Sequence, residues 1–408
     1  MHSTSNGAMA SARRALIPAI LSALLFSAVR PAHAQTETVL HSFSDNGRDG
    51  HTPVGGLIFD SVGNLYGTSW YGGTYNDGSV FELTHRTHGG WGEKILHSFN
   101  GNSADGFGPF ANLVIDAAGN LYGTTCFGGT EGGGTVFELT PQESGDWTET
   151  VLHNFGSGKD GICPKSGLIF DPAGNLYGTT YQGGAKGAGT VFELTQGTSG
   201  AWTEKILHSF DDTGDGGNYP QNGLILDSSG NLYGASNQTV FELTPRATGG
   251  WTEKLLYVFN SDGIDGFDPE FVIFGADGNL YGTTYTGGTE GDGTVFELLP
   301  KATGRWTEKV LHSFNGEDGV FCYAGLVFDA AGNLYGAVVE GGTYNHGTVF
   351  KLTPQEGGNW IETMLHSFDD KDGSYPWNAL VLDSAGNLYG TAESGGAFGY
   401  GVVFEIKP

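Results

Sequence analysis

Gly63-Asn64-Leu65-Tyr66-Gly67 occurs seven times in the 408 residues, with its asparagine at Asn64, Asn120, Asn175, Asn231, Asn279, Asn333 and Asn387. Successive copies lie 48 to 56 residues apart. A five-residue string that returns at such a period marks a repeat architecture and has to be read before anything else. Upstream of it stand Gly56-Leu57-Ile58-Phe59-Asp60, a short apolar strand ending in an aspartate that recurs in six of seven copies, with Gly275 the exception. Asp60 to Asn64 suits a type I turn closed by a left-handed glycine, the Asp side chain capping it. A residue repeated around a ring holds each unit together; it does not perform one reaction.

Downstream, Leu65 to Ser69 runs back, a glycine loop such as Tyr71-Gly72-Gly73-Thr74 follows, and Val80-Phe81-Glu82-Leu83-Thr84 forms a third strand. A polar hairpin then leads to Trp91 and a fourth strand over Glu93 to Phe99. No helical period appears in the cycle. Four strands in about 55 residues, seven times over, is the sequence form of an all-β, seven-bladed β-propeller with four antiparallel strands per blade. An open solenoid or two sandwiches compete with it. Both fail on one detail: the mature chain begins with a fourth strand, Glu37 to Phe43, and ends with a third, Val402 to Ile406. Pairing the two completes the last blade and removes an exposed sheet edge. The blades are then expected at about 54–99, 110–155, 166–210, 222–259, 270–314, 324–368, and 378–408 with 37–43. Gly67 and its equivalents are expected to let neighbouring blades approach.

Residues 1–34 read differently. Arg13 and Arg14 precede an apolar run from Ala15 to Val29, and Ala32-His33-Ala34 precede Gln35. That is the layout of a signal peptide cleaved after Ala34. The run is shorter than the ~20 residues a membrane span needs. Residues 35–408 are then one propeller domain, secreted or periplasmic, with neither a second spanning stretch nor a terminal sorting tail expected. Cleavage would remove three arginines and no acid, leaving 15 basic against 45 acidic side chains, a net charge of −30. Such a surface repels nucleic acid and anionic lipid and leaves cations or uncharged partners.

The unit Gly-Leu-Ile-Phe-Asp-x-x-Gly-Asn-Leu-Tyr-Gly, with Val-Phe-Glu-Leu-Thr and Leu-His-Ser-Phe, resembles the bacterial GloVer tandem repeat of secreted choice-of-anchor proteins over essentially all of 37–408. The hairpin is similar, more distantly, to those of NHL-type and virginiamycin B lyase-like propellers. The resemblance implies an extracytoplasmic propeller and brings no catalytic residues with it.

Function is to be sought where the repeats disagree. The loops between second and third strands, and those between blades, fall on one face of a propeller. Trp70, Tyr71, Phe127, Tyr181, Tyr285 and Tyr344 stand in the former, and Trp377 in the latter with Phe107, Tyr219, Phe267 and Tyr375. Such aromatics beside glycines suit stacking on sugar rings or gripping a peptide; alternatively they roof each blade. Blade four lacks the glycine loop, passing from Gly234 through Asn237 to Val240, which is expected to leave a notch.

His41, His97, His153, His208, His312 and His366 belong to the repeated Leu-His-Ser-Phe, one per blade, and are expected to be hydrogen-bonded structural groups that do not converge on one metal. The acidic interblade loops, such as Asp369 to Gly373 and Asp211-Asp212 with Asp215, resemble calcium loops without EF-hand spacing. Calcium is the one cofactor they bring into view. Cys126 and Cys163 fall on the same face and can pair in an oxidising compartment, with Cys322 left free. The first functional reading is a monomeric, non-enzymatic propeller that binds carbohydrate or an extracellular protein on its loop face. The second is a metal-dependent lyase or lactonase at the mouth of the axial channel; no Ser-His-Asp set, HExxH or nucleophile elbow is present to support it.

Overall fold

The repeated turn builds the hairpin at the heart of every blade. In the first, Asp60 Oδ1 accepts the amide N–H groups of Val62 and Asn64, both at 2.9 Å, while Oδ2 accepts Asn64 Nδ2 at 2.8 Å. The Tyr66 hydroxyl lies between Asp60 and Glu82, at 3.3 and 2.9 Å, and so ties the turn to the third strand. Gly63 closes the turn at φ +93°, where a side chain would be strained. Burial would raise the Asp60 carboxyl, but the donors from Asn64 and Val62 outweigh it and hold it below the ordinary range. Where Gly275 replaces this aspartate, Asp277 stands in, accepting from the Asn279 amide at 3.1 Å and the Tyr281 hydroxyl at 2.8 Å.

The computed structural model describes residues 36–101, 104–156, 158–212, 217–260, 263–302 and 304–408. The leader expected at 1–34 and Asp215 lie outside the described residues. These residues form seven four-stranded antiparallel sheets and no helix. No helix among them is therefore long and apolar enough to cross a membrane. In the first blade the order from the axis outward is Ile58–Phe59, Leu65–Ser69, Ser79–His85 and Trp91–Ser98. The last blade is Val381–Leu382, Leu388–Ala392 and Val402–Lys407, and its outer strand is Thr36–Ser42 from the other end of the chain. That strand runs antiparallel from Thr36 opposite Lys407 to Ser42 opposite Val402, with one irregularity between Val39 and His41. The ring is closed as the chain ends imply.

Packing between blades rests on phenylalanines. Phe43, Phe99, Phe155, Phe210, Phe259 and Phe314, at the ends of outer strands, are at most 2% exposed. Each sets its ring edge-on to a third-strand phenylalanine of the next blade, as Phe43 does to Phe81 at 5.1 Å and Phe155 to Phe192 at 5.0 Å. The glycine that ends the repeated string serves a different neighbour from the one expected. A Cβ at Gly67 would lie 2.5 Å from Phe81 Cζ, and Gly67 faces Phe81 across its own hairpin. It makes room for the phenylalanine of its own sheet, because a ring lying over the paired strand needs a partner without a side chain.

This locates an expected loss. A Cβ at Gly178 would meet Phe192 Cζ at 2.6 Å, whereas one at Gly223 meets only Gly167 O at 3.6 Å. Gly178→Ala should therefore lower stability by about 1–3 kcal/mol through overpacking, with Gly223→Ala close to neutral. Urea midpoints of the two variants check this, and equal midpoints would contradict it.

Two blades depart from the pattern. In blade four the second and third strands, Leu232–Ser236 and Thr239–Pro245, are joined by Asn237 and Gln238 alone, the latter at φ +69°. In blade five the proline stands one residue closer to the inner strand, and Gly266–Phe274 forms one continuous strand along Leu280–Gly287, with a register irregularity between Pro269 and Val272. Elsewhere that pairing is split, as in the short ladder of Gly50–His51 with Tyr71–Gly72 in blade one.

Candidate functional site at the mouth of the axial channel

Each interblade loop returns to the axis through one strained residue. Thr52, Cys163, Tyr219, Asp268, Phe321 and Tyr375 have φ between +51° and +64°, and Gly108 holds the seventh place at +66°. The next residue is proline in six blades and Cys322 in the other. A left-handed residue there costs about 1 kcal/mol or more; seven copies make it a device of the architecture, turning the chain from the rim to the channel. The residue after it is where the blades disagree most: Val54, Phe110, Lys165, Gln221, Glu270, Tyr323 and Trp377.

Five of these seven line two adjoining cavities. One, of about 270 Å³, is walled by Val54, Trp70, Tyr71, Phe110 and Trp377, with Thr52 and Glu393. The other, of about 290 Å³, is the channel: paired apolar residues from the inner strands, such as Leu57-Ile58, Leu168-Ile169 and Val272-Ile273, form its wall, and Phe110, Lys165, Asn222, Tyr323 and Asn378 its loop-side end. Phe110 borders both.

The aromatic cavity is built by rings held edge to face. Trp70 meets Phe110 at 5.2 Å and Tyr71 at 6.0 Å, and Trp377 meets Tyr323 at 5.4 Å. The Trp377 indole N–H donates to Glu393, which fixes both side chains. Across the mouth the chemistry changes. Lys165 Nζ sits 4.5 Å from the centre of the Tyr181 ring and 5.7 Å from that of Phe110. Burial pulls the Lys165 ammonium below the ordinary lysine range, against the opposing pull of Glu270. Glu270 is 2% exposed and takes a hydrogen bond from Asn222 Nδ2. Burial pushes its carboxyl well above the usual range, and Asp268 adds to the effect. Cys126 and Cys163 are disulfide-bonded, which ties the blade-two loop to the segment Cys163-Pro164-Lys165. Cys322 is buried and free, its thiol pushed up by burial.

Of the aromatics singled out in the sequence, Trp70, Tyr71 and Trp377 come together at the mouth, and Tyr181 stands under Lys165. Tyr285 stacks on Phe321 at 4.7 Å, beside Tyr323. Phe127 stacks on Phe107 at 5.2 Å and reaches the edge of Trp70 at 6.1 Å. Tyr344 is 57% exposed and lines neither cavity. Sequence reasoning passed over Phe110, Lys165, Asn222, Glu270, Tyr323 and Glu393. The signal was present: the position after the breaker proline changes chemical type in every blade.

The repeated histidines lie elsewhere, at the seams between outer strands. His97 Nε2 is 3.2 Å from Asp105, His153 Nε2 3.1 Å from Asp160 and His312 Nε2 3.0 Å from Asp318, the aspartate coming each time from the following interblade loop. Asp369, in the loop after blade six, accepts from the Lys371 amide at 3.0 Å.

Fold and mouth together define a closed tandem-repeat propeller whose variable residues are gathered at one end of its axis. The chain belongs to the Gloeobacter/Verrucomicrobia repeat family, whose model matches residues 24–238 and 235–408. Among solved structures it is similar to virginiamycin B lyase from Staphylococcus aureus, at 14% identity and a TM-score of 0.54, over 92% of this chain and 99% of that one. It is similar as well to the extracellular domain of a protein from B. thetaiotaomicron, at 14% identity and a TM-score of 0.57, over 92% of this chain and 42% of that one. A protein from Lactobacillus plantarum aligns at 16% identity and a TM-score of 0.51, over 81% of this chain and 95% of that one. These likenesses establish the fold. No curated protein matches the chain in sequence.

Proposed function

We propose that this chain is an exported, non-enzymatic binding propeller that recognises carbohydrate at the loop-side mouth of its channel. The observation that carries the reading is the ring of repeat-equivalent positions at which every blade differs, opening onto a cavity walled by Trp70, Tyr71, Phe110 and Trp377. Aromatic faces take the apolar face of a pyranose, and a few fixed polar groups around them set its orientation. Glu393 on one side and Lys165, Asn222 and Asn378 on the other supply an acceptor, a cation and amides. The strongly acidic surface suits an uncharged glycan better than a sulfated or uronate-rich one.

The test is a glycan array on protein from Gln35 onward, with and without calcium, followed by titration of the best ligand. Trp377→Ala is expected to weaken binding by about 10- to 100-fold, as loss of a central aromatic anchor does. Tyr344→Ala, away from the mouth, should leave affinity within about twofold, the usual effect of a peripheral contact. Absence of any glycan ligand, or a ligand indifferent to Trp377, would sink the reading; turnover of a lactone or lyase substrate would favour an enzyme at the same mouth.

A further inference from the structure

The seams between blades carry a second constellation, remote from the mouth and independent of its function. At the seam of blades one and two, His97, Asp105 and Glu149 bring one imidazole nitrogen and two carboxylate oxygens within 4.8 Å of one another. The same three residue types meet at the next seam, as His153, Asp160 and Glu204, and at the closing seam, as His41, Asp49 and Glu93. In each trio the histidine and glutamate come from the outer strands of neighbouring blades and the aspartate from the loop between them.

The glutamate of each trio carries a screened oxygen, as its equivalents Glu37, Glu253 and Glu362 do at the other seams; what sets the three trios apart is that a histidine nitrogen and two carboxylate oxygens converge there. Oε1 of Glu93, Glu149 and Glu204 is shut off from solvent and has no hydrogen-bond partner, although the side chain lies beside an aspartate and a histidine. A screened oxygen with no donor, beside a second carboxylate, calls for positive charge. The seam of blades three and four supplies such a charge from the chain itself. There His208 Nε2 lies 3.6 Å from Glu253, and Lys186 reaches in from the blade-three loop to bond Asp211. The ammonium is close enough to act on both: after burial, it is what holds the His208 imidazole down and opposes the rise of Glu253. The lysine ion pairs among the described residues go to Asp211, Glu193, Glu242, Glu297, Asp369 and Glu405, and so not to Glu93, Glu149 or Glu204.

We infer that the three seams 7/1, 1/2 and 2/3 each bind one divalent transition-metal ion through the His, Asp and Glu, so that the metal does at these seams what Lys186 does at the fourth. One imidazole and two carboxylates leave a ligand position for water. Zinc and manganese accept such a set, at bond lengths of about 2.0–2.2 Å for zinc. A tetrahedral ion of that bond length sets its donors about 3.4 Å apart; the histidine and aspartate donors already lie 3.1 to 3.4 Å from one another, and the glutamate oxygen lies within 4.8 Å of both. Because the ligands come from two blades and the loop between them, each ion clamps a seam.

Zinc is the probe. Tag-free protein, stripped with chelator and titrated at pH 7.5, is expected to take up three equivalents per chain by calorimetry and by elemental analysis after desalting, and to melt several degrees higher for it. Glu149→Gln, which keeps size and hydrogen bonding but removes a charged ligand, should lower the count to two, and so should His97→Ala. Glu362→Gln, at a seam outside the three trios, should leave it at three. Failure to bind zinc, or a count that neither Glu149→Gln nor His97→Ala changes, overturns the assignment. Circular dichroism and the melting curve of each stripped variant establish that it is folded before its count is read.

Discussion

Deleting residues 35–43 is expected to leave a chain that no longer unfolds cooperatively and that elutes as aggregate. The deletion removes the outer strand of the last blade and exposes Val402–Lys407 as an unpaired edge, a template for association between chains. It also removes Phe43, which is fully buried against Leu57, Leu65 and Phe81 of the first blade, so both the last blade and the closing seam fail together. Phe43→Ala alone should cost about 3–5 kcal/mol, the range for a buried phenylalanine. The deletion removes the backbone ladder as well, and in a ring every blade depends on its two neighbours. Moving residues 36–43 to follow Pro408 through a short linker should restore a monomeric, cooperatively melting protein. A deleted chain that melts as the parent does would mean that the ring is not held by this strand.

The second large effect concerns acidity. Glu37, Glu93, Glu149, Glu204 and Glu253 occupy equivalent places in the outer strands, and burial raises each carboxyl to about 7, with a neighbouring aspartate adding to it. In the unfolded chain these groups titrate near 4.5. Folding therefore raises their proton affinity, so the stability they contribute is fully present below about pH 4.5 and is lost as the pH rises through 7. With chelator present, the protein should melt higher at pH 5 than at pH 8. After discounting for partial exposure, each site is worth about 0.5–1 kcal/mol and the five together a few kcal/mol.

The turn aspartates work in the other direction. Asp60, Asp171, Asp227, Asp329 and Asp383 are held below their ordinary value of 3.8, so their contribution is present above that value and is lost as the pH falls through the folded values. Stability should accordingly peak near pH 5 and fall on both sides. Calorimetry across pH 4 to 9 checks the shape. The triple variant Glu93→Gln, Glu149→Gln, Glu204→Gln, whose amides mimic the protonated acid, should flatten the alkaline limb. A parent protein more stable at pH 8 than at pH 5 would refute the argument.

The same seam glutamates show why part of the molecule could not be read from the chain. The string around Asn64 is local: its aspartate, glycine and tyrosine interact within their own hairpin, so the turn and the blade count follow from residues near one another in sequence, and the closing strand, which pairs the two ends of the chain, follows from where the repeat is cut. Even the exception at Gly275 is repaired locally, by Asp277. Glu149, by contrast, lies 52 residues from His97 and 44 from Asp105, and only the packing of one outer strand against the next brings the three together. Read along the chain, those histidines are evenly spaced ornaments of a strand. Read across the seam, each is one member of a trio.

The mouth divides in the same way. Trp70, Tyr71 and Trp377 were legible because a loop aromatic beside glycines is conspicuous wherever it falls. Lys165, Phe110 and Tyr323 were not, because each is unremarkable in its own loop and gains meaning only from the ring of unlike residues around the axis. Sequence alone determined the seven blades, their four strands and the closure, since these depend on turn chemistry and on the period of a repeat. Only the tertiary structure decided which side chains share the channel mouth and which share a seam: closing the ring sets residues from blades far apart in the chain side by side at its axis, and lays each outer strand against that of the next blade at its rim.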